Sequence, residues 1–387
     1  MAAVVTFGVV SLLADIVYEA ARSVLGPYLA TLGASAAVVG LVSGAGEFVG
    51  YALRWVTGVV ADRTRGYWAM TFGGYGLTVI AVPLLGWVGR VDLALALVVA
   101  ERLGKAVRSP ARDALLSEVA VPLGRGWGFG IHEALDQTGA VVGPLLLAGV
   151  LALRQGDYRL AFTVLAVPGA LAMLSLGLAR RMAGDQTSEI EGADSSPVAE
   201  NEAGADLRAR TYFGFVFLSA LGFAPFPLIA FHVTDRSLAG DPVLPLMFAL
   251  AMAVDAGSAL VSGHAYDRRG LRVLLLLPGL SALTALAFSS TVWLVWLAVA
   301  VWGAVMGIQE STLRAAVADL SASGRRATAY GVFNTAYGMA LLGGGAVLGF
   351  LYDRSVPLLV GVVIITQVAA AFVLRTLLPG WGSGGST

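Results

Sequence analysis

The chain has no cysteine among its 387 residues. That absence excludes disulfides, a thiol nucleophile and a thiolate metal site. It has three histidines, His132, His232 and His264, too scattered for a His-rich metal centre. Charge is scarce as well. Asp, Glu, Lys and Arg make up 13% of the residues, against about 25% in a soluble globular chain. That deficit excludes an ordinary soluble enzyme. The formal net charge is zero, so nothing points to nucleic acid. No His-Glu-x-x-His motif and no convincing P-loop occur. Gly124-x-Gly126-x-Gly128-x-Gly130 resembles a phosphate cradle only superficially. No strand precedes it, and glycines that open a span serve close helix packing. The expectation is therefore no cofactor, no metal, no enzymatic chemistry and no nucleotide domain to drive a pump.

What is present is hydrophobicity: 57% of residues are hydrophobic, and the mean hydropathy is +0.80. A membrane span needs roughly 20 mainly apolar residues. Twelve stretches qualify: 5–31, 35–60, 67–88, 92–114, 126–153, 158–179, 211–234, 243–266, 272–290, 292–316, 326–351 and 356–378. The fold class expected is an all-α membrane protein. The first apolar run starts almost at Met1 and outlasts a signal-peptide core, so it reads as a retained span. Residues 182–210 are polar, acidic and rich in Ala, Gly and Ser, without apolar period. They divide the chain into a bundle at 1–181, a flexible cytoplasmic linker, and a bundle at 211–380, with a flexible tail at 381–387.

Arginines set the orientation. With both termini in the cytoplasm, that side holds Arg63, Arg65, Arg108, Arg112, Arg125, Arg180, Arg181, Arg208, Arg210, Arg268, Arg269, Arg272, Arg314, Arg325, Arg326 and Arg375. The other side holds only Arg90, Arg154, Arg159, Arg236 and Arg354. The positive-inside rule favours this arrangement, in a bacterial inner (plasma) membrane.

The halves echo each other. Gly58-Val59-Val60-Ala61-Asp62-Arg63 follows span two, and Gly263-His264-Ala265-Tyr266-Asp267-Arg268-Arg269-Gly270-Leu271-Arg272 follows span eight. Arg125, Gly130 and Gly143 of span five match Arg326, Gly331 and Gly344 of span eleven at one constant offset. Parallel repeats of this kind put a substrate site near the midplane, between the halves.

On these features the chain resembles the major facilitator superfamily of secondary transporters, along essentially its whole length. Gly263-x-x-x-Asp267-Arg268-x-Gly270-x-Arg272 fits the family's signature loop; the copy from Gly58 to Gly66 is looser. The resemblance implies two pseudo-symmetric six-helix bundles working as a monomer. It also implies a cytoplasmic latch formed by Asp62, Arg63, Asp267 and Arg268, with Gly58, Gly263 and Arg272 in the same motif. Gly139-x-x-x-Gly143-Pro144 resembles part of a motif of the family's proton-driven antiporters. A glycine-based close helix crossing with a proline kink explains it equally.

Charge does occur inside the spans, where it is costly and usually functional. Asp15, Glu19 and Arg22 share one face of span one. Asp15 lies roughly 15 Å in from the cytoplasmic end. Span two brings Glu47. Span four carries the stripe Glu101, Lys105, Arg108 and Arg112, with Arg102 beside it; span five adds His132 and Asp136. Arg108, Arg112 and Arg125 are expected at the inner interface, setting topology or facing lipid. His132 is expected as a packed or gating residue. In the second half Asp255, Glu310, Arg314 and Asn334 are the polar residues, and Phe213, Phe215, Phe217, Phe223, Phe226 and Phe231 offer an aromatic wall.

A carboxylate removed from water holds a proton more readily. It can take that proton from one side and release it to the other as the halves move. The expected proton-coupling and substrate-cavity residues are Asp15, Glu19, Arg22, Glu47, Glu101, Arg102, Lys105 and Asp136. The function expected is proton-coupled antiport, exporting an amphipathic small organic molecule. The alternatives are symport or facilitated uptake of a small metabolite or siderophore-like compound, and lysolipid transport.

Overall fold

The computed structural model describes the chain outside residues 121–124, 155, 184–203, 321–325 and 379–387. It also leaves out the side chains of 55, 62, 117, 125–130, 204–209, 267, 314, 318, 319 and 326–331. The expected tail and most of the expected linker fall outside the described residues.

The described residues form helices and no strand. The first six spans are α1 (Ala2–Thr31), α2 (Ala36–Thr64), α3 (Tyr67–Leu85), α4 (Val91–Val119), α5 (Arg125–Leu153) and the pair α6 (Tyr158–Val164) and α7 (Ala166–Ala183). The seventh is α8 (Gly204–Leu221) with α9 (Phe226–Asp235), and the eighth is α10 (Val243–Arg269). The ninth is α11 (Leu276–Leu283) between the 3₁₀ segments Gly270–Leu275 and Thr284–Phe288. The tenth joins α12 (Val292–Ile308) through a π-helical turn at Gln309–Leu313 to α13 (Arg314–Leu320). The last two are α14 (Arg326–Arg354) and α15 (Val356–Leu377). Among the described residues, eleven of these segments are long and apolar enough to cross a membrane. The exception is α4, whose charges lower its hydropathy.

The chain forms two compact units. The first is Met1–Ala34, Val49–Ser196 and Ala239–Ala249; the second is Ser35–Phe48, Pro197–Leu238 and Leu250–Thr387. The start of α2 thus packs within the second unit.

In the first unit α1 and α5 run parallel and cross closely. A Cβ on Gly139 would collide with the Leu12 carbonyl, one on Gly143 with the Ile16 carbonyl, and one on Gly8 with Leu135. Both helices meet at every fourth residue, the packing of i±4 ridges into grooves. Helices α3 and α4 cross antiparallel at Gly74 and Gly104, each facing the other's carbonyl. Lipid provides no hydrophobic force between helices, so such close backbone contact is what holds a bundle.

The second unit repeats the device. Gly344 of α14 abuts the Leu221 carbonyl of α8, and Gly303 and Gly307 of α12 abut the Ala251 and Asp255 carbonyls of α10. The start of α2 lies antiparallel on α14, with Gly40 against Gly345 and Gly349 against Ala36. The Asp353 carboxylate accepts the N–H groups of Ala36 at 3.1 Å and Ala37 at 2.9 Å. It therefore satisfies two of the orphan donors at the start of α2.

Span seven breaks before Pro225. The freed Ala224 carbonyl accepts Trp302 Nε1–H at 2.9 Å, and the Trp302 indole stacks on Phe223 and meets Phe226 edge-on. Phe215, Phe223, Phe226 and Phe231 are buried within the unit, so most of the expected aromatic wall is packing core; Phe213 and Phe217 stay half-buried. At the family's signature loop, Gly270 takes φ +57 and ends α10. In the first-half copy the same left-handed position falls on Arg65, at φ 54, because the glycine comes one residue late.

Gly139→Val and Gly143→Val should each lower the melting temperature of the purified protein by several degrees, through about 1–3 kcal/mol of overpacking. Gly149→Ala, with open space around its Cα, should melt like the parent. Equal melting of all three in a thermal-shift assay would contradict the crossing.

Candidate functional site

The α1–α5 crossing places the ionisable residues of three helices in one interior region. The α1 face presents Ser11, Asp15 and Glu19, all buried, and then half-buried Arg22. Their spacing of four, four and three keeps them on one face. Ser11 Oγ donates to the Asp136 carboxylate of α5. Arg112 of α4 donates to Ser11 Oγ at 3.3 Å and, through two nitrogens, to Asp113 Oδ1 at 3.0 and 2.8 Å. Ser11 thereby links a carboxylate on α5 to a guanidinium on α4. Asp15, one turn along, lies within electrostatic reach of Asp136, Lys105, Glu19 and Arg108.

The upper part of the cluster is paired more loosely. Arg22 lies 3.6 Å from Glu19, and Arg102 lies 3.5 Å from its neighbour Glu101. The Tyr18 ring carries two cations: the Lys105 ammonium at 3.6 Å and the Arg102 guanidinium at 4.7 Å from its centroid. A cation over a desolvated ring gains on the order of 2 kcal/mol, which helps to hold two like charges side by side. A narrow cleft lies between α1, α3 and α4 and is lined by Tyr18, Arg22, Leu25, Val82, Glu101 and Arg102. Its enclosed volume of about 20 Å³ is room for about one water molecule.

Seven of the eight expected coupling residues therefore lie in one unit: Asp15, Glu19, Arg22, Glu101, Arg102, Lys105 and Asp136. The eighth, Glu47, is half-buried on the stretch of α2 grouped with the second unit. Two arginines expected at the interface, setting topology or facing lipid, turn towards other helices. Arg108 is 1% exposed, with its guanidinium over the Tyr75 ring at 4.3 Å. Gly74 gives its stem room on α3, since a Cβ there would overlap Arg108 Cβ. Arg112 turns inward to Ser11. Their place on the stripe that begins at Glu101 was the available signal. Ser11 lies four residues before Asp15 and was visible on the same ground; Tyr18 and Tyr75 gave none, being aromatic residues in apolar runs. His132 is buried near Arg112, Asp136, Asp113 and Arg108.

At the signature loops, Arg63, Arg268 and Arg272 are exposed, and the Asp62 and Asp267 side chains lie outside the described residues. A Cβ on Gly58 or Gly263 would make only ordinary contact, with Pro110 and Ser311 respectively. In the second half Asp255 is buried, Glu310 lies in the π-helical turn, and Tyr337 donates to Gln309 Oε1 at 2.7 Å. The Arg314 side chain lies outside the described residues.

A family model described as Major Facilitator Superfamily matches residues 7–345. A protein of Mycobacterium tuberculosis is 49% identical over 374 residues, spanning 96% of this chain and 91% of its own. An MFS-type transporter of Methanocaldococcus jannaschii is 26% identical over 361 residues, 90% of this chain and 88% of its own. Among solved structures, the nucleoside transporter NupG superposes with a TM-score of 0.76 at 16% identity, over 97% of this chain and 99% of that one. A peptide transporter of the POT family has a TM-score of 0.76 at 16% identity, over 97% and 93%.

If Ser11 and Asp136 form one unit, Ser11→Ala and Asp136→Asn should be non-additive by about 1 kcal/mol, because each removes the same hydrogen bond. Unfolding of both single variants and the double variant in detergent measures this. Strict additivity would count against the link.

Proposed function

Since the chain belongs to the Major Facilitator Superfamily, we propose that this multi-pass secondary transporter exports an amphipathic small organic molecule in exchange for protons. The observation that carries the proposal is the cluster of Asp15 and Asp136 with Lys105 and Arg112, drawn from α1, α4 and α5. Two carboxylates close together inside a membrane protein favour sharing a proton, because their like charges repel and water is excluded. Taking up that proton loosens the hold of the cations on the carboxylates. Losing it restores that hold. A substrate that competes for the same cations is thereby coupled to the proton. Glu19, Glu101, Arg22 and Arg102 extend the charged face along α1 and α4, and Glu47 of α2 belongs to the same proposed set.

In this proposal both termini are cytoplasmic. The signature loops act as the latch of the cytoplasmic side, through Asp62 and Arg63 in one half and Asp267 and Arg268 in the other. Gly139, Gly143 and Pro144 act by holding α5 on α1, so that Asp136 stays on the Asp15 face. The antiport direction draws on the partial match of this glycine–proline segment to the antiporter motif.

Purified protein in liposomes with an acidic lumen and a lumenal pH dye tests this against substrate pools. Export-type exchange makes the lumenal pH rise as a substrate enters. Symport makes it fall, and facilitation leaves it unchanged; either result would overturn antiport. Asp15→Asn, Glu19→Gln, Glu101→Gln and Asp136→Asn should cut gradient-driven accumulation by at least about tenfold, while exchange at equal pH persists. Normal accumulation in all four would sink the coupling role.

A further inference from the structure

His232, in the last turns of α9, is 2% exposed and takes no part in the cluster just described. Its Nδ1 lies 2.9 Å from the Tyr352 hydroxyl on α14, and its Nε2 lies 3.1 Å from the Ser289 carbonyl oxygen, just before α12. The Tyr352 hydroxyl in turn lies 2.8 Å from Asp235 Oδ2. Phe288 meets the imidazole edge-on, and Phe231 meets the Tyr352 ring edge-on.

Counting protons decides what this network is. The Ser289 carbonyl only accepts, so Nε2 must carry a hydrogen. An ionised Asp235 only accepts, so the Tyr352 hydrogen points to it, and the hydroxyl must then accept from Nδ1. Both ring nitrogens are then donors, and the ring is an imidazolium. The other complete arrangement puts the extra proton on Asp235 and turns the Tyr352 hydroxyl towards Nδ1. Either way the network is complete only with one proton more than a neutral histidine and a carboxylate hold. Asp235 is half-exposed to solvent, where its carboxylate stays hydrated, so the extra proton is the one that the paired ring nitrogens share with Tyr352 and Ser289.

We propose that His232, Tyr352 and Asp235 form a proton-binding site, with Asp235 and Tyr352 relaying the proton between water and the buried imidazole. The charged groups around it are few. Arg236 lies 3.6 Å from Asp235 Oδ2 and also reaches the Tyr352 hydroxyl, opposing the imidazolium charge. Asp353, next on α14, is engaged by the amides of Ala36 and Ala37, and Arg354 stacks on Phe350. The stretch 284–292 has no ionisable side chain. The proton ties the ends of α9 and α14 to the connection before α12. It thereby fixes the turn of α14 from which Asp353 holds the start of α2. This site is independent of the coupling role proposed for Asp15 and Asp136, and its test reads the imidazole directly.

Full-length protein carrying ¹⁵N-imidazole histidine provides that test by NMR in nanodiscs, with His132→Gln and His264→Gln assigning the two other rings. At about pH 5 both His232 nitrogens should show the protonated signature, and it should disappear as the pH is raised. Tyr352→Phe keeps the aromatic packing and Asp235→Asn keeps the shape. Each should lower the imidazolium-to-neutral ratio at about pH 5 by at least about threefold. A neutral single tautomer at this pH in the parent protein, or a ratio that neither variant moves, would overturn the site.

Discussion

The close crossing of α1 and α5 is the contact on which the charged interior depends. In lipid, helices gain nothing by hiding apolar surface from each other, and cohesion comes from backbone approach and polar contacts. Gly139 and Gly143 let the Leu12 and Ile16 carbonyls lie against α5. The same register sets Ser11 beside Asp136 and Asp15 one turn further along. A side chain at either glycine would push apart the elements that bring these groups together. The crossing is a structural device, and the polar cluster follows from it.

Charges so placed need partners, because an isolated ion in an apolar interior costs several kcal/mol. The first unit answers in three ways. Arg112 is held by hydrogen bonds to Asp113 and Ser11. Arg102 and Lys105 lie on one tyrosine ring, and Arg108 lies on another. Glu19 and Glu101 are each paired within their own helix, to Arg22 and to Arg102. Tyrosine faces thus share with carboxylates the work of holding these cations.

The second unit handles polarity at its ends. Asp353 supplies acceptors to the first amides of α2, and Trp302 supplies a donor to the carbonyl freed where span seven breaks. His232 joins α9, α14 and the segment before α12 through contacts at both ring nitrogens, to the Tyr352 hydroxyl and the Ser289 carbonyl. Each repairs a place where a helix starts, stops or kinks, which is where backbone groups at membrane depth lose their own partners. The two units thus share their glycine crossings and differ in where they spend polar side chains.

Spans, their number and the family were legible in the sequence, because apolar length and a short charged motif are local properties of the chain. Even the span with too much charge for an apolar criterion, α4, was recognisable from its neighbours and its stripe. The deep acids and bases were legible too, since helical spacing alone puts Asp15 and Glu19, or Glu101 and Lys105, on one face. The sequence could not say which face meets which. Arg108 could pass for a lipid-facing arginine because nothing local shows that Gly74 and Tyr75 on α3 make room for it. Phe223, Phe226 and Phe231 passed for a cavity wall because their packing against Trp302 and Tyr352 depends on residues far along the chain. Nor did His232 stand out, as its partners Tyr352 and Ser289 lie 120 and 57 positions away. Helical period and composition act within a span; only the crossings between spans, set by where two glycines allow backbones to touch, decide which charges share an interior.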